Sequence, residues 1–191
     1  MSSGQDLVAV RENHRFEMAA LERYLTRHLD GYQTGATIQQ FEGGQSNPTF
    51  LLQTADKSYV LRKKPPGELL PSAHQVEREY RICKALADTD VPVPRVHLLC
   101  QDASIIGTPF YVMEFVEGRV FVDPSLADLT ASNRRAVYEE MVQVLATLHR
   151  IEYRERDLSD FGKPGNYFAR QTGRWTKQYL AAQTDQILSM D

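Results

Sequence analysis

The sequence predicts an α+β fold: an antiparallel sheet of about five strands with one inserted helix, followed by helices only. Three observations carry that prediction. Short apolar runs with strand character recur over 36–42, 48–54, 58–63, 95–101 and 109–115. One amphipathic stretch, 73–87, interrupts them with Val76, Tyr80, Cys83 and Ala87 on a single stripe. From Asn133 the period becomes helical and stays so. The order implies two lobes joined near 114–118: an N-terminal extension and helix over 1–35, a strand-rich lobe over 36–117 and a partial helical lobe over 118–191.

Each element has a local reason. Over 16–30, Phe16, Ala20, Leu21, Tyr24, Leu25 and Leu29 fall on one helical face, and Gly31 is a stop signal. Residues 54–58 read as a hairpin loop between the second and third strands. Pro65-Pro66-Gly67 ends that part of the sheet. Ser72 with Gln75 three residues later resembles a capping box for the 73–87 helix. Pro92 and Pro94 make a stiff exit from it into the last two strands. Val137, Met141, Val144, Leu145 and Leu148 mark one later helix, over 133–150, and a second runs over 166–189.

Composition narrows the function classes. A net charge of −3 lacks the clustered basic surface of a nucleic-acid binder. No run approaches the roughly 18 apolar residues of a membrane-spanning helix. The first twelve residues include Asp6, Arg11 and Glu12 and lack the apolar core of a signal peptide. Cys83 and Cys100 have no CxxC spacing and read as buried free thiols. A reducing, cytoplasmic compartment is the default expectation, with peroxisomal and mitochondrial addresses left open.

Four segments carry chemistry. Gly43-Gly44-Gln45-Ser46-Asn47 lies between two strands, where glycine backbone N–H groups and the Ser46 hydroxyl can cradle phosphate oxygens. Arg62 and Lys63 end the third strand, and alternation puts Val60 and Arg62 on one face, Leu61 and Lys63 on the other. One cation should therefore point inward and the other out to solvent. Glu79, 17 positions after Arg62, is the candidate carboxylate to hold that inward cation, with Glu77 as its competitor. Met113-Glu114-Phe115-Val116 ends the fifth strand; there the Glu114 carbonyl and Val116 amide can meet an adenine edge while Met113 lines the pocket. Taken singly, each segment also reads as an ordinary turn, a strand-edge cation, a solvated helix face or a strand end. Their order carries the information.

Together with Pro48-Thr49-Phe50, Lys64-Pro65-Pro66-Gly67, Arg170-Gln171 and Trp175, these segments resemble the aminoglycoside phosphotransferase/choline kinase-like family. Within it the chain is most similar to the kinase-like domains related to acyl-CoA dehydrogenase family members. The resemblance implies a protein-kinase-like fold and ATP- and magnesium-dependent phosphoryl transfer to a small-molecule hydroxyl. By position it implies a phosphate loop at Gly44 to Asn47, a strand cation at Arg62 with Glu79 as its partner, and adenine-contacting backbone at Glu114 and Val116. Arg62 stands where the wider family usually has lysine; arginine keeps the charge and adds a bidentate fork.

The catalytic half of such a site is not legible. The family pattern calls for a His-Gly-Asp loop and a later metal-binding aspartate, and no His-Gly-Asp occurs in the sequence. His149-Arg150-Ile151 has isoleucine where a catalytic aspartate would stand. Asp160-Phe161-Gly162 follows only 11 positions after His149, too close for a catalytic loop between them. His149 reads instead as the end of a helix, and Asp160-Phe161-Gly162 as the loop before the next. No catalytic residue and no metal ligand is assigned.

The expectation is thus the N-terminal portion of an ATP-dependent small-molecule phosphotransferase, with an incomplete helical lobe and negligible turnover on its own. The alternative is a non-catalytic nucleotide-binding or interaction module. The apolar stripes of the last two helices would in either case invite a protein partner. The acceptor is open among hydroxylated acyl thioesters, aminoglycosides and choline.

Overall fold

The computed structural model describes residues 6–42, 47–67 and 74–182, without the side chains of Ala181 and Ala182. The chain forms two compact units, residues 1–151 and 152–191. The first is built on a six-stranded antiparallel sheet. Its strands are β1 (Leu7–Val8), β2 (Thr37–Phe41), β3 (Thr49–Gln53), β4 (Ser58–Lys63), β5 (Val96–Cys100) and β6 (Phe110–Glu114), in the order β1-β2-β3-β4-β6-β5. Five are the strands expected from alternation. The sixth, β1, was not expected: the short run Leu7-Val8-Ala9-Val10 shows no alternation, and only pairing with β2 makes its first two residues a strand.

Helix α1 (Met18–His28) buries Leu21 and Leu25 completely, as its stripe requires. These residues, with Leu29 and Tyr32, form one apolar cluster with Phe50 and Leu52 of β3, Tyr59 and Leu61 of β4, and Phe110 and Val112 of β6. Phe16 meets Phe50 edge-on at 5.6 Å, and Tyr24 meets Phe110 at 5.7 Å. The β3–β4 loop closes through Thr54, whose amide donates to the Lys57 carbonyl at 2.9 Å and whose Oγ1 accepts from the Lys57 amide at 3.1 Å.

Helix α2 (Val76–Leu86) packs against β5 and β6, with Tyr80 edge-on to Tyr111 at 6.2 Å. Ser72 lies outside the described residues, and the residue capping α2 is Gln75, whose side chain makes no capping hydrogen bond. Cys100 is buried in the α1 cluster, whereas Cys83 on α2 is only half-buried, a correction to the expectation that both thiols are enclosed. The helix has one flank on the sheet and another towards solvent, and Cys83 sits between them.

Helix α3 (Ala131–His149) starts at Thr130, whose hydroxyl caps the Asn133 amide at 3.2 Å, and ends at His149. It has no buried residue; Met141, Val142, Leu145 and Leu148 are exposed. In the second unit, a 3₁₀ turn (Tyr153–Arg156) precedes α4 (Tyr167–Ala182), and Asp160-Phe161-Gly162 falls in the loop before that helix. Residues 183–189 of the expected last helix lie outside the described residues. Among the described residues no helix is long and apolar enough to cross a membrane.

Tyrosines within and against the core set an alkaline limit on stability. Burial pushes the Tyr24 and Tyr32 hydroxyls up to about 12 and raises Tyr59 as well. An unfolded chain ionises these groups near 10.0, while the folded state keeps their protons. Their contribution is therefore whole below pH 10 and is lost as pH rises through about 12. Urea midpoints are expected to fall steeply above about pH 10, together with the rise in tyrosinate absorbance. A flat profile to pH 12 would contradict this.

Candidate functional site

The site is assembled on the sheet face opposite α1. Alternation along β4 sends Leu61 into the α1 cluster and Val60 and Arg62 to the other side. Val60 there joins Phe41, Met113, Glu114, Phe115, Val116 and the Pro92-Val93-Pro94 wall around a cleft of about 460 Å³. The two prolines hold their backbone at fixed φ, so that wall needs no hydrogen bonds to keep its shape. The Glu114 carboxylate accepts the Arg95 amide at 2.8 Å, and its own amide donates to the Arg95 carbonyl at 2.8 Å. These two bonds fasten the end of β6 to the start of β5 beside the cleft.

Arg62 lies two residues beyond Val60, about 7 Å along the strand. Its Nε is 2.7 Å from Glu79 Oε2 of α2, an ion pair in which the Nε proton has no linear hydrogen-bond acceptor. Its Nη1 donates to Thr49 Oγ1 at 3.3 Å. Glu79 Oε1 accepts from Asn47 Nδ2 at 2.7 Å, and Oε2 accepts from the Tyr111 hydroxyl at 3.1 Å. Asn47 is 2% exposed, with Oδ1 3.3 Å from His74 Nδ1. The Tyr111 hydroxyl is held protonated well above its ordinary range, by burial first and by the Glu79 charge second. One carboxylate thus gathers groups from β4, β6 and the end of the β2–β3 connection.

Glu77, the competing partner, turns to Lys64 instead, at 2.9 Å. Two residues along a helix rotate a side chain by about 200°, so Glu77 and Glu79 cannot both face Arg62. Lys63 departs from expectation. It does not reach solvent but is 3% exposed, its Nζ 5.3 Å from the Phe16 ring, and desolvation lowers its pKa. The alternation is right and the face is wrong: α1 and the residues before it cover the side that the strand alone would leave wet.

The structure therefore brings together Asn47, Arg62 and Glu79 in one network, and Met113, Glu114 and Val116 in the adjoining cleft. Gly43, Gly44, Gln45 and Ser46 lie outside the described residues. Sequence reasoning missed Phe41, Val60 and Pro92–Pro94 as cleft walls, and Tyr111 and His74 as members of the network. Only Val60 carried a signal, its shared face with Arg62. Among the described residues no group of three or more His, Cys, Asp or Glu side chains is placed to hold a metal ion.

Residues 37–191 match the sequence profile of the phosphotransferase enzyme family. The chain belongs to that family. It is 51% identical over 183 residues to mouse acyl-CoA dehydrogenase family member 10, a match covering 95% of this chain and 17% of that protein. It is 46% identical over 189 residues to human acyl-CoA dehydrogenase family member 11, covering 97% of this chain and 24% of that protein. A crystal structure from Ralstonia eutropha, provisionally named an aminoglycoside phosphotransferase, superposes with a TM-score of 0.78 at 47% identity over 93% of this chain and 51% of that one. The chain thus spans a quarter or less of these two curated relatives and about half of the solved one. The kinase-like α+β architecture and the link to acyl-CoA dehydrogenase family members are as the sequence implied.

Proposed function

We propose that residues 1–151 bind ATP and form the nucleotide-binding part of a small-molecule phosphotransferase. The observation that carries this reading is the Arg62–Glu79 pair, standing on the same sheet face as an apolar cleft and about 7 Å along the strand from its Val60 wall. The cleft has the volume and apolar walls of a small-molecule site, with backbone groups at its rim for a base edge. Arg62, restrained by Glu79 and Thr49, stands where it can meet phosphate oxygens with two donors. Magnesium, when bound with ATP, would neutralise phosphate charge; among the described residues no group of three or more His, Cys, Asp or Glu side chains is placed to hold it.

The acceptor belongs to the larger proteins in which such chains occur. Hydroxylated acyl thioesters are the favoured class, since the curated relatives carry acyl-CoA dehydrogenase names. For the 191-residue polypeptide itself the reading is binding without transfer, because its sequence has no His-Gly-Asp loop to orient a nucleophile.

Isothermal titration with ATP and with adenosine tests this. Arg62→Ala should weaken ATP about tenfold and leave adenosine within about twofold, since one charge-assisted contact to phosphate is lost. No release of ADP should accompany binding. Failure of the unaltered chain to bind ATP, or sustained turnover lost in Arg62→Ala, would overturn the respective half of the proposal.

A further inference from the structure

We propose that residues 6–16 are a strap that positions the nucleotide cleft, with Gln40 as its latch. The strap lies N-terminal to the stretch that matches the family profile, 37–191, and its role rests on the nucleotide-binding reading above. It grips the sheet at two places. At the first, β1 pairs with β2 through Leu7 opposite Phe41 and Val8 opposite Gln40, and the Glu42 amide donates to the Asp6 carbonyl at 2.9 Å. Phe41 is a wall of the cleft, so this pairing fixes the backbone of a residue the base would touch. Without it β2 would be an unpaired edge at that point.

The second grip is at the far end of β4. Phe16 packs edge-on against Phe50 and under the Lys63 ammonium, at 5.6 and 5.3 Å. The Lys63 amide in turn donates to the Pro48 carbonyl at 3.1 Å. Lys63 directly follows Arg62, so a hold on Lys63 also restrains the backbone that carries the phosphate-facing cation.

Between the two grips the strap is latched by a single buried amide. Gln40, 3% exposed, accepts the Arg11 amide on Oε1 at 3.1 Å, and its Nε2 lies 3.0 Å from His14 Nδ1. A glutamine near the end of β2, on the face that carries the apolar cluster, is not itself a member of that cluster. Among the described residues its side-chain hydrogen bonds run to the strap, and they hold the Glu12–His14 turn over the sheet. Gln40 and the strap are positioning elements; neither is placed to touch the nucleotide.

The test measures ATP affinity by titration on the full chain. Deletion of residues 2–11, which leaves Phe16 and α1 in place, should weaken ATP about tenfold, the size of one lost positioning interaction. Gln40→Leu should do the same, and Gln40→Glu, which keeps the acceptor for the Arg11 amide but loses the Nε2 donor facing His14, should fall between Gln40→Leu and the unaltered chain. Leu29→Ala, a change in the apolar cluster but outside the strap, should lower the thermal midpoint yet leave affinity within about twofold. Unchanged affinity in both the deletion and Gln40→Leu overturns the strap while sparing the nucleotide site. Loss in Leu29→Ala equal to that in Gln40→Leu also overturns it, by showing a general effect of stability. No ATP binding by the unaltered chain ends both readings together.

Discussion

Glu79→Ala is expected to lower the unfolding free energy by about 2–4 kcal/mol and to weaken ATP binding by more than about tenfold. Two donors lose their acceptor and Arg62 loses its counter-charge at once. Asn47 and Tyr111 are buried, so the Asn47 Nδ2 and the Tyr111 hydroxyl are left with little access to water, and each costs about 1–3 kcal/mol. The Arg62 and Glu79 side chains are 29% and 34% exposed, so water makes up part of that loss and the ion pair contributes less to stability. Its larger effect is on binding, because an untethered arginine samples many rotamers before it can meet a phosphate. Glu79→Gln should fall between the two: its amide oxygen still accepts from Asn47, but its nitrogen cannot accept from Tyr111 or hold the Arg62 charge. Urea denaturation and titration together check the result. Equal urea midpoints and equal affinities in Glu79→Ala and the unaltered chain would refute the account of this network.

Phe110→Ala is expected to cost about 3–5 kcal/mol of stability, a large share of the 5–15 kcal/mol that holds a typical domain. Phe110 is completely buried, meets Tyr24 of α1 edge-on and pairs with Lys63 on one side and Cys100 on the other. Its removal leaves a cavity between helix and sheet that rigid strands on both sides cannot close. Phe110 and Val112 face α1, whereas Tyr111 and Met113 face the network and the cleft. The substitution should therefore shift the thermal midpoint strongly while leaving ATP affinity per folded molecule within about twofold. A large affinity loss with little change in midpoint would show that the two faces of β6 are not independent.

Those two expectations rest on the same property of a strand. Successive side chains go to opposite faces, so the sequence Leu61-Arg62-Lys63 already separates Arg62 from its two neighbours, although that Lys63 is buried with Leu61 shows only in the packing. The α1 stripe and five of the six strands were legible in this way, because periodicity is a local property of the chain; only the family resemblance favours Glu79 over Glu77. The β1 strand was not legible, since two residues hold too little pattern and owe their conformation to β2. The Pro92–Pro94 wall read as a stiff exit for a like reason. That it encloses a cleft with Phe41 and Val60 depends on residues more than 30 positions away.

Local spacing along this chain settles which side chains share a face, because backbone geometry dictates side-chain direction within a few residues. It leaves open which face is wet and which of two acidic residues meets the arginine. Packing answers both: α1 and Phe16 cover the side of β4 that holds Lys63, and the rotation of α2 aims Glu79 at Arg62 and Glu77 at Lys64. Those outcomes depend on contacts between distant segments, whose free energy no single stretch of sequence contains.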